Sequence, residues 1–361
     1  LDVEAERRLF EATNAENARQ LETLVKDGDI LVVHDPQPMP LAGMLRSRRD
    51  IATVWRCHIG LDEENPATRA AWSFLAPYAA DYDDAIFSAP EYVPPMLRDR
   101  ARVIHPSIDP LSPKNQDLHL HAIVEILANA AMTVAPGPVV QAPFPHIAQR
   151  LQADGNWSAA VLPADIGLLN RPIVTQISRW DRLKGWLPLL AGFVALKDRV
   201  YRDRNERPAI QRRRLRQVRL VMAGPDPASI QDDPEALEVL EEIRLAYIDL
   251  DDEVKHDVAI LALPMQHPEH NALMVNALQR ATTVVVQNSL REGFGLTITE
   301  AMWKRIPVLS NTRAVGPRQQ ISHGADGWLI PDPEDPAQIA DALQRAAARY
   351  AKSGTSTDSS G

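Results

Sequence analysis

The chain of 361 residues has one cysteine, Cys57, so no intramolecular disulfide can form and a disulfide-stapled scaffold is excluded. It has no run of about 18 consecutive apolar residues, the length a membrane-spanning helix needs, and no signal-peptide pattern at its start. It also lacks a basic excess. Its 39 Lys and Arg against 48 Asp and Glu give a net charge of −9, the reverse of a chain built to neutralise many phosphates, so nucleic acid is excluded as the main partner. Glycine is scarce (16) and proline plentiful (29), a balance that favours stiffened loops over flexible linkers. What is present is ordinary for a globular protein: 45% hydrophobic and 24% charged residues, enough for a large core and too apolar for disorder. The expectation is a cytoplasmic protein of two domains, at about 150 residues per domain.

Along the chain, short apolar runs alternate with amphipathic stretches. An opening helix is expected over residues 1–26, strands at 29–34, 51–55, 84–88 and 102–105, a short helix through Leu45 and another over 66–80. Because a domain seldom opens on its connecting helix, a segment upstream of Leu1 is expected. Residues 106–115 carry three prolines and read as a crossover. Beyond it, strands at 172–178, 218–223, 257–261, 282–287, 307–310 and 327–330 alternate with helices near 184–200, 234–248, 269–280, 296–305 and 335–350. Continuous apolar strands separated by helices indicate α/β architecture: two Rossmann-like, doubly wound parallel sheets facing a cleft. The expected boundaries are an incomplete first domain at 1–112, a second domain at 113–352 and a disordered Ser/Thr/Gly tail at 353–361. The run Arg212–Arg214 reads as a solvated connector.

Neither common nucleotide fingerprint is present. The glycines Gly293 and Gly295 begin a G-x-G-x-x-G pattern, but its third position is Ile298, and no G-x-x-x-x-G-K-[ST] loop exists. The segment around those glycines is informative for another reason. It follows an apolar strand and opens a helix, placing Glu292 in the turn and Glu300 on the helix. Glycine there lets the backbone approach a ligand, and the helix start offers free N–H groups to an anion. Two carboxylates flanking an anion-binding turn suit a nucleotide sugar, phosphate at the centre and hydroxyl-rich at both ends; by spacing alone an ordinary glycine turn fits as well. Arg179 and Lys184 follow the strand at 172–178, where they either meet a diphosphate or pair with nearby acids. His34-Asp35-Pro36-Gln37 and Trp55-Arg56-Cys57-His58 end adjacent strands, and either histidine can bind a hydroxyl, move a proton or simply be structural. No metal site is expected: His119 and His121 fall at i and i+2 of a helix, and His267 and His270 in a loop without further ligands.

Together these motifs resemble the family 4 retaining glycosyltransferases of the GT-B fold. Glu292 and Glu300 match that family's E-x7-E element, and Arg179 and Lys184 its basic pair. The longer strings at 33–38, 55–59, 106–112 with Lys114-Asn115, 178–184 and 289–297 resemble the trehalose glycosyltransferring synthases within it. The resemblance implies transfer of glucose from a nucleoside diphosphate glucose to free glucose, giving α,α-trehalose. It further implies that Glu292 binds donor-sugar hydroxyls and Glu300 the ribose. Arg179 and Lys184 would hold the diphosphate, with the backbone of Gly293, Phe294, Gly295, Leu296 and Thr297. His58 would lie by the donor sugar, with His34, Asp35 and Gln37 on the acceptor side. The catalytic set implied is His58, Arg179, Lys184 and Glu292, with no metal or cofactor. The partners implied are the nucleotide sugar and glucose, with neither nucleic acid nor membrane, and a homodimer left open. Two departures stand out: residues 313–319 replace a Gly-Gly-Ile-Pro run, and Gly60 stands where Asp is usual. The alternatives are a trehalose phosphorylase, transfer to another small acceptor, or a non-catalytic nucleotide-sugar-binding protein.

Overall fold

The computed structural model describes residues 3–134, 144–161, 165–202, 208–231 and 233–353. The tail expected to be disordered lies, after Ser353, outside them. The chain divides into two units, Leu1–Pro106 and Ser107–Gly361.

The first unit contains α1 (Val3–Leu21), β1 (Ile30–His34), α2 (Leu41–Arg46), β2 (Ala52–Cys57), α3 (Pro66–Ala79), β3 (Asp84–Phe87) and β4 (Ala101–Val103). Its four strands form a parallel sheet in chain order. The core is aromatic. Fully buried Trp55 meets Phe87 edge-to-face at 5.6 Å and Trp72 at 6.0 Å, geometries that ring quadrupoles favour. A capping box fixes the start of α3: Asn65 accepts from the Thr68 N–H, and the Thr68 hydroxyl accepts from the Asn65 N–H. Arg7 of α1 lies over the Phe74 ring of α3 at 4.4 Å. β2 runs two residues further than the sequence suggested, so Cys57 is buried in the strand and His58 stands directly at its end.

The second unit contains α4 (Leu120–Asn129), β5 (Gln149–Leu151), β6 (Trp157–Ala159), β7 (Ile173–Ile177), α5 (Trp186–Arg202), α6 (Ala209–Gln217), β8 (Arg219–Pro225) and α7 (Pro234–Ile248). It continues with α8 (Asp252–His256), β9 (Val258–Leu263), α9 (Pro268–Arg280), β10 (Val284–Val286), α10 (Leu296–Trp303), β11 (Val308–Asn311), α11 (Val315–Gln320), β12 (Gly327–Ile330) and α12 (Pro336–Ser353). The sheet order is β12-β11-β10-β7-β8-β9, all parallel, extended past β9 by the antiparallel pair β5 and β6. Counted from β7, this is the doubly wound order 3-2-1-4-5-6. Both faces are covered: in β8, Leu220 and Met222 pack with α5 and α7 residues, while Val221 and Ala223 pack with residues of α4 and α9. That burial is why these strands read as unbroken apolar runs.

Three expectations are corrected. Arg212–Arg214 belong to α6, held by buried Leu215, and are no connector. His119 caps α4 from outside instead of lying within it, so its ring can stack on His121 at 5.7 Å. His267 and His270 begin α9 and lie in no free loop; their rings stack at 4.5 Å.

Candidate functional site

The strand order reverses between β7 and β10: β8 and β9 continue to one side, β11 and β12 to the other. At such a switch point the two loops leaving the carboxyl ends diverge and open a crevice for a ligand. After β7 the chain makes a 3-10 turn at Arg182–Lys184, whose start is capped by Asp181 accepting from the Leu183 N–H (2.8 Å). Gly185 closes it at φ +63°, and a Cβ there would penetrate the carbonyl oxygen of Asn288 in the loop after β10. The two loops are sewn together by buried Gln176, which donates to the Lys184 carbonyl (2.8 Å) and accepts from the Asn288 N–H (2.9 Å). The Leu290 N–H donates to the Leu183 carbonyl (2.7 Å).

This stitching brings two site residues into contact. Lys184 Nζ donates to Glu292 Oε2 at 2.7 Å. The same oxygen accepts from Gln287 Nε2 (3.0 Å) and Ser289 Oγ (3.1 Å). Both members of the pair are largely shielded, at 17% and 15% exposure. Arg179 is not part of this contact: it is open to solvent and its guanidinium lies 3.6 Å from Asp181. After Glu292, Gly295 takes φ +84° and caps α10, an eight-residue helix whose first turn offers N–H groups. Phe294 is held through its carbonyl, which accepts from Gln320 Nε2 at 2.6 Å, and Gly316 packs against it so closely that a Cβ would not fit. In the divergent segment 313–319, Arg313 turns to Asp332 (3.0 Å) and Glu334 (2.8 Å), and Val315, Gly316 and Pro317 are buried in α11.

Beside the switch point is a cavity of about 500 Å³ lined by Arg179, Thr297 and Glu300, with Leu263, Met265 and Val275 among its apolar walls. Glu300 is 4% exposed. Its carboxylate pairs with Lys114 (2.7 Å) and accepts from Gln279 Nε2 (3.3 Å). Sequence reasoning assigned no role to Lys114, Gln279, Gln287 or Ser289. For Gln279, Gln287 and Ser289 the available signal is polarity beside a strand end or on a helix face that is otherwise apolar; Lys114 sits in a turn and carries no such signal. Lys304, close by, has its amine pulled down to about 8, mainly by burial.

In the first unit His34 Nδ1 and His58 Nε2 are 2.9 Å apart, with the rings stacked at 5.1 Å. The His58 N–H donates to Asp35 Oδ1 (2.8 Å), and Asp35 adopts φ +65°, its carbonyl accepting from Trp55 Nε1 (3.0 Å). Partial burial pushes His58 below the usual imidazole range, with Asp35 opposing and Arg56 and His34 assisting. Gln37 is anchored through its carbonyl, which accepts from Asn14 of α1 (3.0 Å). Gly60 faces the Tyr92 ring so closely that no Cβ would fit, so the aspartate expected by resemblance has no room here. Among the described residues, no group of three or more His, Cys, Asp or Glu is placed to hold a metal ion. No helix among them is long and apolar enough to cross a membrane.

Comparison with known proteins agrees with this geometry. Residues 2–94 match the family model for the trehalose synthase N-terminal domain, and residues 168–353 match that for glycosyl transferases group 1. The chain is 33% identical over 332 residues to a trehalose synthase of Pyrococcus horikoshii, covering 91% of this chain and 63% of that protein. It is 33% identical over 336 residues to the trehalose synthase of Thermococcus litoralis, covering 92% and 64%. The chain thus spans just under two thirds of the length of these curated relatives. Among solved structures, a UDP-forming α,α-trehalose-phosphate synthase of Burkholderia xenovorans superposes with a TM-score of 0.63 at 19% identity, covering 95% of this chain and 72% of that one. At that identity the likeness speaks for the fold alone, which is GT-B. With just over half of its length matched by one family model, the chain belongs to the group 1 glycosyl transferases.

Proposed function

We propose that this protein transfers glucose from a nucleoside diphosphate glucose to free glucose with retention, forming α,α-trehalose. The observation that carries this reading is the Lys184–Glu292 contact at the switch point, next to a cavity that ends at Glu300. Lys184 and Arg179 supply positive charge for a diphosphate, joined by the backbone of 293–297 that leads into α10. That charge is worth most as the nucleoside diphosphate departs and negative charge builds on its terminal oxygen. Glu292 accepts hydrogen bonds from sugar hydroxyls, and Glu300 from the ribose. Leu263, Met265 and Val275 give the base an apolar wall.

His58 contributes on the donor-sugar side, and His34, Asp35 and Gln37 on the acceptor side. In the step itself, the bond from the anomeric carbon to the phosphate oxygen breaks. The acceptor oxygen bonds to the same face of that carbon, and its proton passes to the departing phosphate oxygen. The side chains named supply the charge that this step needs, so turnover without added metal belongs to the proposal. So do a cytoplasmic setting and partners limited to small molecules.

The test is a donor panel of UDP-, ADP- and GDP-glucose, each with free glucose and a metal chelator, products read by proton NMR. An α,α-linked disaccharide supports the reading and identifies the donor base. No disaccharide with any donor rejects it. Turnover that needs inorganic phosphate and ignores nucleotide sugars would instead make the protein a trehalose phosphorylase.

A further inference from the structure

Residues 113–115 end the proline-rich crossover and include the Lys114-Asn115 pair of the resemblance, and the structure places one of them, Lys114, in the lining of the cavity. Helices α9 and α10 fasten this segment through its backbone and flanking side chains. Asn276 Nδ2 donates to the carbonyls of Pro113 (3.0 Å) and Gln116 (2.9 Å). Arg280 donates to the Gln116 carbonyl (3.0 Å) and pairs with Asp117 (2.9 Å). Trp303 Nε1 donates to the Asn115 carbonyl (3.2 Å), and Lys304 Nζ to Asn115 Oδ1 (3.1 Å). The Lys114 side chain takes no part in this fastening. It lines the cavity and ends 2.7 Å from Glu300 Oε1.

An ionised carboxylate offers about four acceptor sites, two on each oxygen. Lys114 Nζ is ion-paired with Oε1 at 2.7 Å, and Gln279 Nε2 donates to Oε2 at 3.3 Å. Among the described residues these contacts leave each oxygen at least one acceptor, and two neighbouring acceptors match the two hydroxyls of a vicinal cis-diol. A carboxylate as deeply placed as Glu300 also needs a charged partner to offset its desolvation; Lys114 is the cation in contact with it, and Lys304 adds a longer-range one. We propose that Lys114 is a positioning residue for the nucleotide. It holds the Glu300 carboxylate so that a remaining acceptor on each oxygen reads the 2′,3′-diol of a ribonucleotide, making the site selective for ribonucleotides over 2′-deoxyribonucleotides. This rests on the donor-site reading given above.

The experiment compares dissociation constants by isothermal titration calorimetry for ADP, UDP and GDP against their 2′-deoxy forms, in the wild type, Lys114→Met and Lys114→Arg. The wild type is expected to favour the ribo form of its preferred base by about tenfold, the worth of one good hydrogen bond. Lys114→Met should collapse that ratio to below about threefold, mainly by weakening the ribo form, while Lys114→Arg keeps most of it. A merely structural lysine would weaken both forms alike and leave the ratio unchanged; that outcome, or a wild type with no preference, overturns the proposal. A wild type that binds none of the nucleotides overturns the donor-site reading, and this inference with it. Glu300→Gln guards against misfolding of the lysine variant. It should lose the same preference, and adding Lys114→Met to it should change the ratio no further.

Discussion

Lys184 Nζ and Glu292 Oε2 lie 2.7 Å apart across 108 positions of sequence, one on each loop leaving the point where the sheet reverses. The contact is shielded, and Glu292 Oε2 is further held by Gln287 and Ser289. On the proposed donor-site reading, a diphosphate arriving there would compete with Glu292 for the lysine, and the pair would hold a cation in place until then. Removing either partner leaves the other charge poorly compensated. Lys184→Ala and Glu292→Ala are each expected to lower kcat by about 10²-fold or more, the usual scale for losing one electrostatic contact to a transition state. Steady-state kinetics alongside circular dichroism check this. Full activity in either folded variant would show that the pair is structural.

The close approach of the two loops depends on Gly185. Its left-handed backbone alone makes alanine there cost about 1–2 kcal/mol. The added Cβ would also push into Asn288, whose Nδ2 bonds the carbonyls of Gly185 (3.1 Å) and Pro333 (2.9 Å). Gly28, at φ +87° with open space around it, isolates the backbone effect. Gly28→Ala should lose only about 1–2 kcal/mol in urea unfolding and keep its activity, whereas Gly185→Ala should lose distinctly more and fall in turnover. Equal losses in the two variants would mean that the loops are not tightly coupled.

The strands and helices of the second unit were readable because β8 and β9 are buried on both faces, so their apolar runs are unbroken. The β5–β6 hairpin was not, because its strands are three residues long and one carries Arg150. That arginine is buried and donates to the Val258 carbonyl at 3.0 Å, a long-range bond that local pattern cannot show. Its Asp154-Gly155 turn was the available signal. Helix α6 was missed because consecutive arginines hide the anchoring Leu215. At the site, spacing placed Lys184 and Glu292 on strand-end loops but could not show that they meet, since the meeting depends on Gln176 and Asn288 of buried strand ends. Lys114 and Glu300 are further apart still in sequence, and only packing of the 113–117 segment on α9 and α10 joins them.

The His34–His58 contact carries its own pH signature. A 2.9 Å bond between two ring nitrogens needs one donor and one acceptor, so at least one ring is neutral. Burial lowers the His58 pKa from an ordinary 6.5. Just below that pH the unfolded chain therefore binds more protons than the folded one, and stability is lost as pH falls. The His58 C2–H resonance should titrate with a midpoint below 6.5, and His58→Gln should shrink the loss of stability between about pH 7 and pH 5. A midpoint at or above 6.5 would contradict the arrangement.

Lys304 gives the opposite end of the pH range. Burial brings its amine to about 8, with Arg280 and Lys114 pushing the same way and Glu300 resisting. The unfolded amine titrates near 10.5. Below pH 8 the folded protein bears the full cost of a poorly hydrated ammonium. Between the two values the unfolded chain binds more protons, so this cost fades as pH rises. The stability of the wild type minus that of Lys304→Met should therefore increase from pH 7 to pH 10, read as urea midpoints at unit intervals. Taking the difference cancels tyrosines and other lysines that titrate in the same range. The hydrogen bond to Asn115, lost in the variant at every pH where it forms, sets the level of the curve and leaves its slope to the amine. A difference that stays flat across this range would mean that Lys304 titrates like an exposed lysine, and that the junction of 113–117 with α10 is wetter than its packing indicates.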